Sequence, residues 1–171
     1  MSATNPTPGT VRSRGVSSGN SVWLDGQLVT FLLTGEETGG QFALVRTTAR
    51  RGGEPPCHLH RREDETLCVL AGDLTCYVGG EPRPVLAGTC IFLPRGLEHG
   101  FVIESDEATI LHLFTPAGYE GAIRELGMVA SSNTAPPTAT GLPDVERLVT
   151  VSARYGCEIT GPPLAPRTTA P

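Results

Sequence analysis

An all-β sandwich or barrel is the fold class that this 171-residue chain predicts, on three observations. Glycine and proline, 21 and 15 residues, make up about a fifth of the chain, above the usual share of roughly an eighth. About eight short strand-like runs follow one another at roughly ten-residue spacing, with glycine-bearing turns between them. No helical pattern separates these runs, which argues against a parallel α/β sheet.

The elements follow in order. Residues 1–20 are rich in Ser, Thr, Gly and Pro and are expected to form a flexible arm. A barrel is expected over 21–116. Its strands run through Gln27–Leu33, Gln41–Thr48, Thr66–Leu70, Leu74–Val78, Thr89–Leu93, His99–Ile103 and Thr109–Phe114, and His58-Leu59-His60 lies on a further extended segment. Turns are marked by Thr34-Gly35, Gly39-Gly40, Ala71-Gly72-Asp73, Gly79-Gly80 and Ala87-Gly88. Over 117–160 the character becomes helical. Tyr119–Leu126 is stopped by Gly127, Ala130–Gly141 is an exposed linker, and a second helix opens at Pro143 and stops at Gly156. Val145, Leu148 and Val149 share one face of that helix, which is expected to pack on the barrel or on a partner subunit. Residues 161–171 are expected to be a loose tail.

Composition excludes several functions. A hydrophobic content of 39% is that of a globular chain, and a net charge of −5 gives no electrostatic case for nucleic acid. All 13 basic residues are arginine, so chemistry that needs lysine, such as Schiff-base formation, is absent. No apolar run approaches the ~18 residues of a membrane span, and the opening residues carry no export signal. Five cysteines with no CxxC pair (Cys57, Cys68, Cys76, Cys90 and Cys157) read as reduced, mostly buried thiols. A cytoplasmic protein is the expectation.

The four histidines carry the chemistry. Side chains two apart on a strand point the same way, so His58 and His60 face one side. Glu65 follows after a turn-length gap, and His99 comes some forty residues later, just after Pro94-Arg95-Gly96. Three imidazoles and one carboxylate suit a divalent transition metal ion: Fe, Mn, Ni, Co, Cu or Zn. Glycines and a proline are spaced around them: Gly52, His58, His60, Glu65 and Gly72 in one block, and Gly88, Pro94, Gly96 and His99 in a second. These nine positions resemble the two signature motifs of the cupin family.

The resemblance covers roughly Gln41 to Pro116 and implies a double-stranded β-helix, the jelly-roll barrel, here with short C-terminal helices. It implies that His58, His60, Glu65 and His99 are the metal ligands. One departure is Ile103, where the family's second motif often has an asparagine that is not a ligand. The segments Leu32–Gly40 and Phe114–Glu120 and the closing helix look like small bacterial cupins related to quercetin 2,3-dioxygenases, which cleave a flavonol with O₂ at a divalent metal. Thiol-oxidising cupins typically have Cys where Glu65 stands, which counts against that reaction.

Glu65 is either a structural ligand or a general base that takes an enol proton. Counting by twos from the ligands places Leu67 and Val69 on the face of Glu65, and Phe101 and Ile103 on that of His99. These four are candidate pocket walls, and equally candidate core. The direction of His112 is open; facing inward, it would bind substrate or relay protons. The leading expectation is a dioxygenase acting on a flavonol-like or other enolic or phenolic small molecule, with Glu65 as base. The alternatives are a non-redox cyclase, isomerase or decarboxylase in polyketide-like secondary metabolism, and a non-catalytic binding cupin. Related cupins imply a homodimer, and neither nucleic acid nor membrane is expected as a partner.

Overall fold

Two antiparallel sheets face each other across an apolar interior in the computed structural model, which describes residues 11–134 and 144–164. The elements of the first half are β1 (Ser21–Leu24), β2 (Gln27–Leu33), α1 (Gly35–Thr38), β3 (Ala43–Arg50), β4 (Pro56–His60), β5 (Asp64–Ala71) and β6 (Leu74–Val78). Those of the second are β7 (Glu81–Val85), β8 (Cys90–Leu93), β9 (His99–Ile103), β10 (Glu107–Thr115), α2 (Glu120–Leu126), β11 (Met128–Val129), α3 (Val145–Arg154) and β12 (Cys157–Pro163). One sheet has the order β11-β1-β2-β3-β10-β5-β8, the other β12-β4-β9-β6-β7. This is the double-stranded β-helix expected, with the two longer helices, α2 and α3, after β10 and the single turn α1 between β2 and β3.

Alternation along the strands builds the interior. On β5, Glu65, Leu67 and Val69 are buried while Asp64, Thr66 and Cys68 are partly exposed. Leu67 and Val69 join Leu74, Phe101, Ile103 and Ile110 in one core cluster, and Val29, Phe31, Val45, Phe114 and Ile123 form a second. Fully burying side chains of this size stabilises the fold by about 1.5–3 kcal/mol each. Along β10 the inward positions run from Ile110 in the first cluster, through His112, to Phe114 in the second. A polar residue thus sits at the border of two apolar ones.

Several elements depart from expectation. β1 and β2 form a hairpin whose turn residues Asp25 and Gly26 have φ of 46° and 82°. An Asp-Gly pair is well suited to this left-handed turn. β7 carries Pro82 and Pro84, tolerated because it is the edge strand of its sheet. Cys157–Thr160, past the expected helix stop at Gly156, and Gly161–Pro163, expected to be loose, form β12 beside β4. Of the expected face of α3, Leu148 is half-buried and lines the barrel cavity while Val145 and Val149 are 59% and 42% exposed, and Val151 and Ser152 are buried. Ala130 is buried, with its N–H donating to the Ser21 carbonyl, so the expected linker does not begin there. Residues 1–10 of the expected arm, 135–141 of the linker, Pro143 and 165–171 of the tail lie outside the described residues. Among the described residues no helix is long and apolar enough to cross a membrane.

The cysteines require a further correction. Cys68 on β5 and Cys90 on β8 lie directly opposite in the strand register and are joined as a disulfide, while Cys57, Cys76 and Cys157 are free. Cysteine usage therefore no longer argues for a reducing compartment. The link closes a loop with a sequence separation of 22, for which chain entropy gives about 3 kcal/mol. Reducing it should lower the melting temperature by roughly 6–12 °C. An unchanged melt in strong reductant would show that the link does not contribute.

Candidate metal centre

The barrel brings four donors together from three strands. His58 and His60 come from β4, Glu65 from the start of β5 and His99 from the start of β9. All four are buried, and one ligand atom from each lies within 4.8 Å of all the others. Main-chain contacts set this convergence. The Gly96 N–H donates to the His60 carbonyl at 2.7 Å, tying the turn before His99 to the strand of the first two histidines. His58 and His99 also pair in register across β4 and β9. Gly72, which ends the first sequence block, has no room for a side chain, since a Cβ there would meet the Glu107 carbonyl at 2.4 Å.

A second tie runs from Asp64 to Arg95. The Asp64 carboxylate accepts from the Arg95 main-chain N–H at 2.9 Å and from its guanidinium at 3.1 and 2.7 Å. It joins the residue before Glu65 to the turn before His99. The guanidinium and main-chain bonds from Arg95 hold Asp64 down at about 2, below the ordinary 3.8. A lowered carboxylate pKa contributes stability above the ordinary value, and that contribution is lost as pH falls through the folded one. Arg95→Leu should therefore lower the melting temperature by a few degrees at neutral pH. The gap to the wild type should close between pH 3.8 and about 2. A gap that persists at the acid end would refute the pairing.

Outer contacts turn the rings. The Nδ1–H groups of His58 and His99 donate to the carbonyls of Pro56 and Leu97 at 2.7 and 3.0 Å, which leaves each Nε2 facing the cluster. His60 places Nε2 3.5 Å from Glu65 Oε2 and Nδ1 3.8 Å from Glu63 Oε2. Both His60 nitrogens are buried without a hydrogen-bond partner. Burial, reinforced by repulsion from His99 and His60, pushes His58 down to about 3, so it is neutral. Burial alone would raise Glu65, but contacts from His112, His60 and His99 outweigh it and hold the carboxyl well below its usual range. For His99, burial is likewise outweighed by the hydrogen bond and charge of Glu65, and its pKa is raised. Three imidazoles converging on one carboxylate, with orphaned nitrogens on His60, are the donor set a divalent transition metal ion needs once its binding displaces the proton that Glu65 favours on His99.

The centre opens into a mostly apolar cavity. Leu67 and Phe101 line it, as does His112, whose Nδ1 lies 2.8 Å from Glu65 Oε1. Val69 and Ile103, expected as pocket walls, are instead packed in the core, 1% and 0% exposed. Alternation gives the side of the sheet on which a residue lies but not its depth. Leu126, Leu148 and Ile159, from α2, α3 and β12, complete the walls.

Two residues of the centre were not legible as such. Glu63, within the turn-length gap before Glu65, is 1% exposed, and its burial pushes its carboxyl pKa up. Tyr119 sets its ring edge-on to His60 at 4.4 Å between centroids, and burial raises its phenol. No motif marked either residue.

Comparison with known proteins agrees with the barrel and its motifs. The family model described as "Cupin domain" matches residues 45–115. The quercetin 2,3-dioxygenase of Bacillus subtilis (strain 168) is 27% identical over 85 residues, which is 50% of this chain and 25% of that protein. The quercetin 2,3-dioxygenase of Aspergillus japonicus is 28% identical over 132 residues, 72% of this chain and 37% of that one. The chain thus spans between a quarter and two fifths of these relatives. Among solved structures, the Streptomyces nucleoside dehydratase Pac13 superposes with a TM-score of 0.52 at 18% identity, covering 64% of this chain and 88% of the other. That likeness is one of fold.

Proposed function

For a member of the cupin superfamily that resembles the quercetin 2,3-dioxygenases, we propose a metal-dependent dioxygenase acting on a flavonol-like or other enolic or phenolic small molecule. One observation carries this reading: four buried donors converge at the inner end of a cavity whose other walls are mostly apolar.

His58, His60, Glu65 and His99 would hold the ion. Bound there, a divalent cation supplies Lewis acidity toward a substrate oxygen and, if redox-active, electrons toward O₂. The chain supplies the rest. Leu67, Phe101, Phe114 and Ile123 offer flat apolar contact to an aromatic ring and exclude water from it. Glu65, held ionised, receives the proton of the substrate hydroxyl on its carboxylate. His112 fixes the orientation of that carboxylate through Oε1.

Elemental analysis of the purified chain, followed by oxygen uptake with a flavonol, tests the proposal. About one transition-metal ion per chain and O₂ consumption that depends on the flavonol are expected. Failure to bind any transition metal after supplementation would overturn the site. Metal-dependent turnover of an enolic substrate without O₂ consumption would place the chemistry in the non-redox class instead.

A further inference from the structure

The outward face of the larger sheet carries a continuous apolar band. Strand pairing sets Phe92, Thr66, Leu113 and Leu44 side by side on β8, β5, β10 and β3, with Leu33 on β2 opposite Leu44. The next row holds Cys90 and Cys68, joined to each other, then Leu111 and Arg46. These rows lie on the far side of the sheet from the centre, because Leu67, between Thr66 and Cys68, lines the cavity. Phe92 and, further along β5, Leu70 are 61% and 50% exposed, while Leu33, Leu44, Leu111 and Leu113 are half-buried. Ion pairs bound the band at both strand ends, Asp64 with Arg95 at 2.7 Å and Arg50 with Glu107 at 3.9 Å. An apolar centre within a charged rim is the anatomy of a protein interface.

The remaining chain has little to cover it with. Residues 1–10, 135–143 and 165–171 hold only Met1 and Leu142 as large apolar side chains. A partner of strong charge has nothing to meet, since among the described residues Arg46 is the single charge between the two ion pairs. The band does match itself. Phe92 stands out at its β8 edge, and Leu33 is recessed at its β2 edge. A two-fold axis along β10 sets Phe92 of one copy over Leu33 of the other and keeps the strands of the two sheets aligned. It also holds the two Arg46 side chains on opposite sides of the axis. Five strands about 4.8 Å apart, each with three outward residues about 7 Å apart, make a face of roughly 500 Å² per copy. Two copies together cover about 1,000 Å², the size at which a specific interface holds.

We infer that this face, centred on Leu111 and Leu113, is where a second copy of the chain docks. The Cys68–Cys90 link then lies inside the interface, shielded from dissolved thiols. The four donors, on the other side of the sheet, are left as they are, so the inference stands apart from the proposed function.

Sedimentation equilibrium of the full chain tests it. The wild type should sediment with twice its 18.0 kDa mass at micromolar concentration. Leu113→Glu brings two carboxylates together at the axis and should weaken association by about a hundredfold or more. Phe92→Ser, at a site already exposed in the single chain, should weaken it by about tenfold with the fold and the metal content unchanged. Val145→Glu, on the exposed side of α3, should leave the dimer intact. In the wild type, reduction of the disulfide by glutathione should slow as protein concentration rises through the dimerisation range. A wild type that stays monomeric, or a dimer that neither Phe92→Ser nor Leu113→Glu weakens, would overturn the inference. A monomer that dimerises once residues 1–10 are deleted would give the face to that segment instead. A reduction rate independent of concentration would place the interface elsewhere.

Discussion

Replacing His99 with alanine should empty the centre. Protein desalted after metal supplementation should fall from about one equivalent of bound ion per chain to nearly none, and turnover should be lost with it. The reason lies in how the donor set is assembled. His58 and His60 share β4, whereas His99 comes from β9 and closes the cluster from the neighbouring strand. Its Nε2 is already directed inward by the bond from Nδ1 to the Leu97 carbonyl, and it lies 3.1 Å from Glu65 Oε2. Without it, two imidazoles and a carboxylate remain beside a void. The fold should survive, because His99 belongs to neither apolar core cluster. Full metal content in the variant would show that His99 is not a ligand.

Replacing Glu65 with glutamine separates holding the ion from handling the proton. The amide oxygen can take the place of Oε2 facing His60 and His99, with its NH2 turned toward His112, so metal should be retained in part. An amide cannot take up a proton at neutral pH. Turnover should therefore fall by about 10²–10⁴-fold while substrate affinity changes much less. Separate measurement of kcat and KM on variant protein with a known metal content distinguishes this from simple loss of the ion. Unchanged turnover would reject Glu65 as the base.

How much of this could be read from the chain varies with the physics involved. His58 and His60 were placed on one side by strand alternation, a local rule, and the resemblance of the glycine and proline spacing to the cupin motifs implied that Glu65 and His99 join them. The four donors do lie together. Val69 and Ile103 show where such rules stop, because two-residue periodicity cannot tell a wall from the floor beneath it. Glu63 carried no local signal, because its burial depends on the segment after β10, where a Cβ on Gly118 would meet its carboxylate at 2.7 Å. The Cys68–Cys90 link needed the β5–β8 register, which no cysteine count supplies. β12 was hidden behind glycine and two prolines, which ordinarily argue against a strand and are tolerated here at a sheet edge.

That last strand has a consequence for when the centre can form. β4 pairs with β9 only between His58 and His99, whereas β12 sets Cys157 opposite His60 and Ile159 opposite His58 and adds the bond from the Arg61 N–H to the Gly156 carbonyl. The strand bearing two of the four donors is thus held chiefly by residues made about a hundred positions later. During synthesis, the histidines leave the ribosome long before their support exists, and loop closure over such a separation is entropically slow. A chain stopped before Gly156 should therefore carry all four donors and lack the strand that supports two of them.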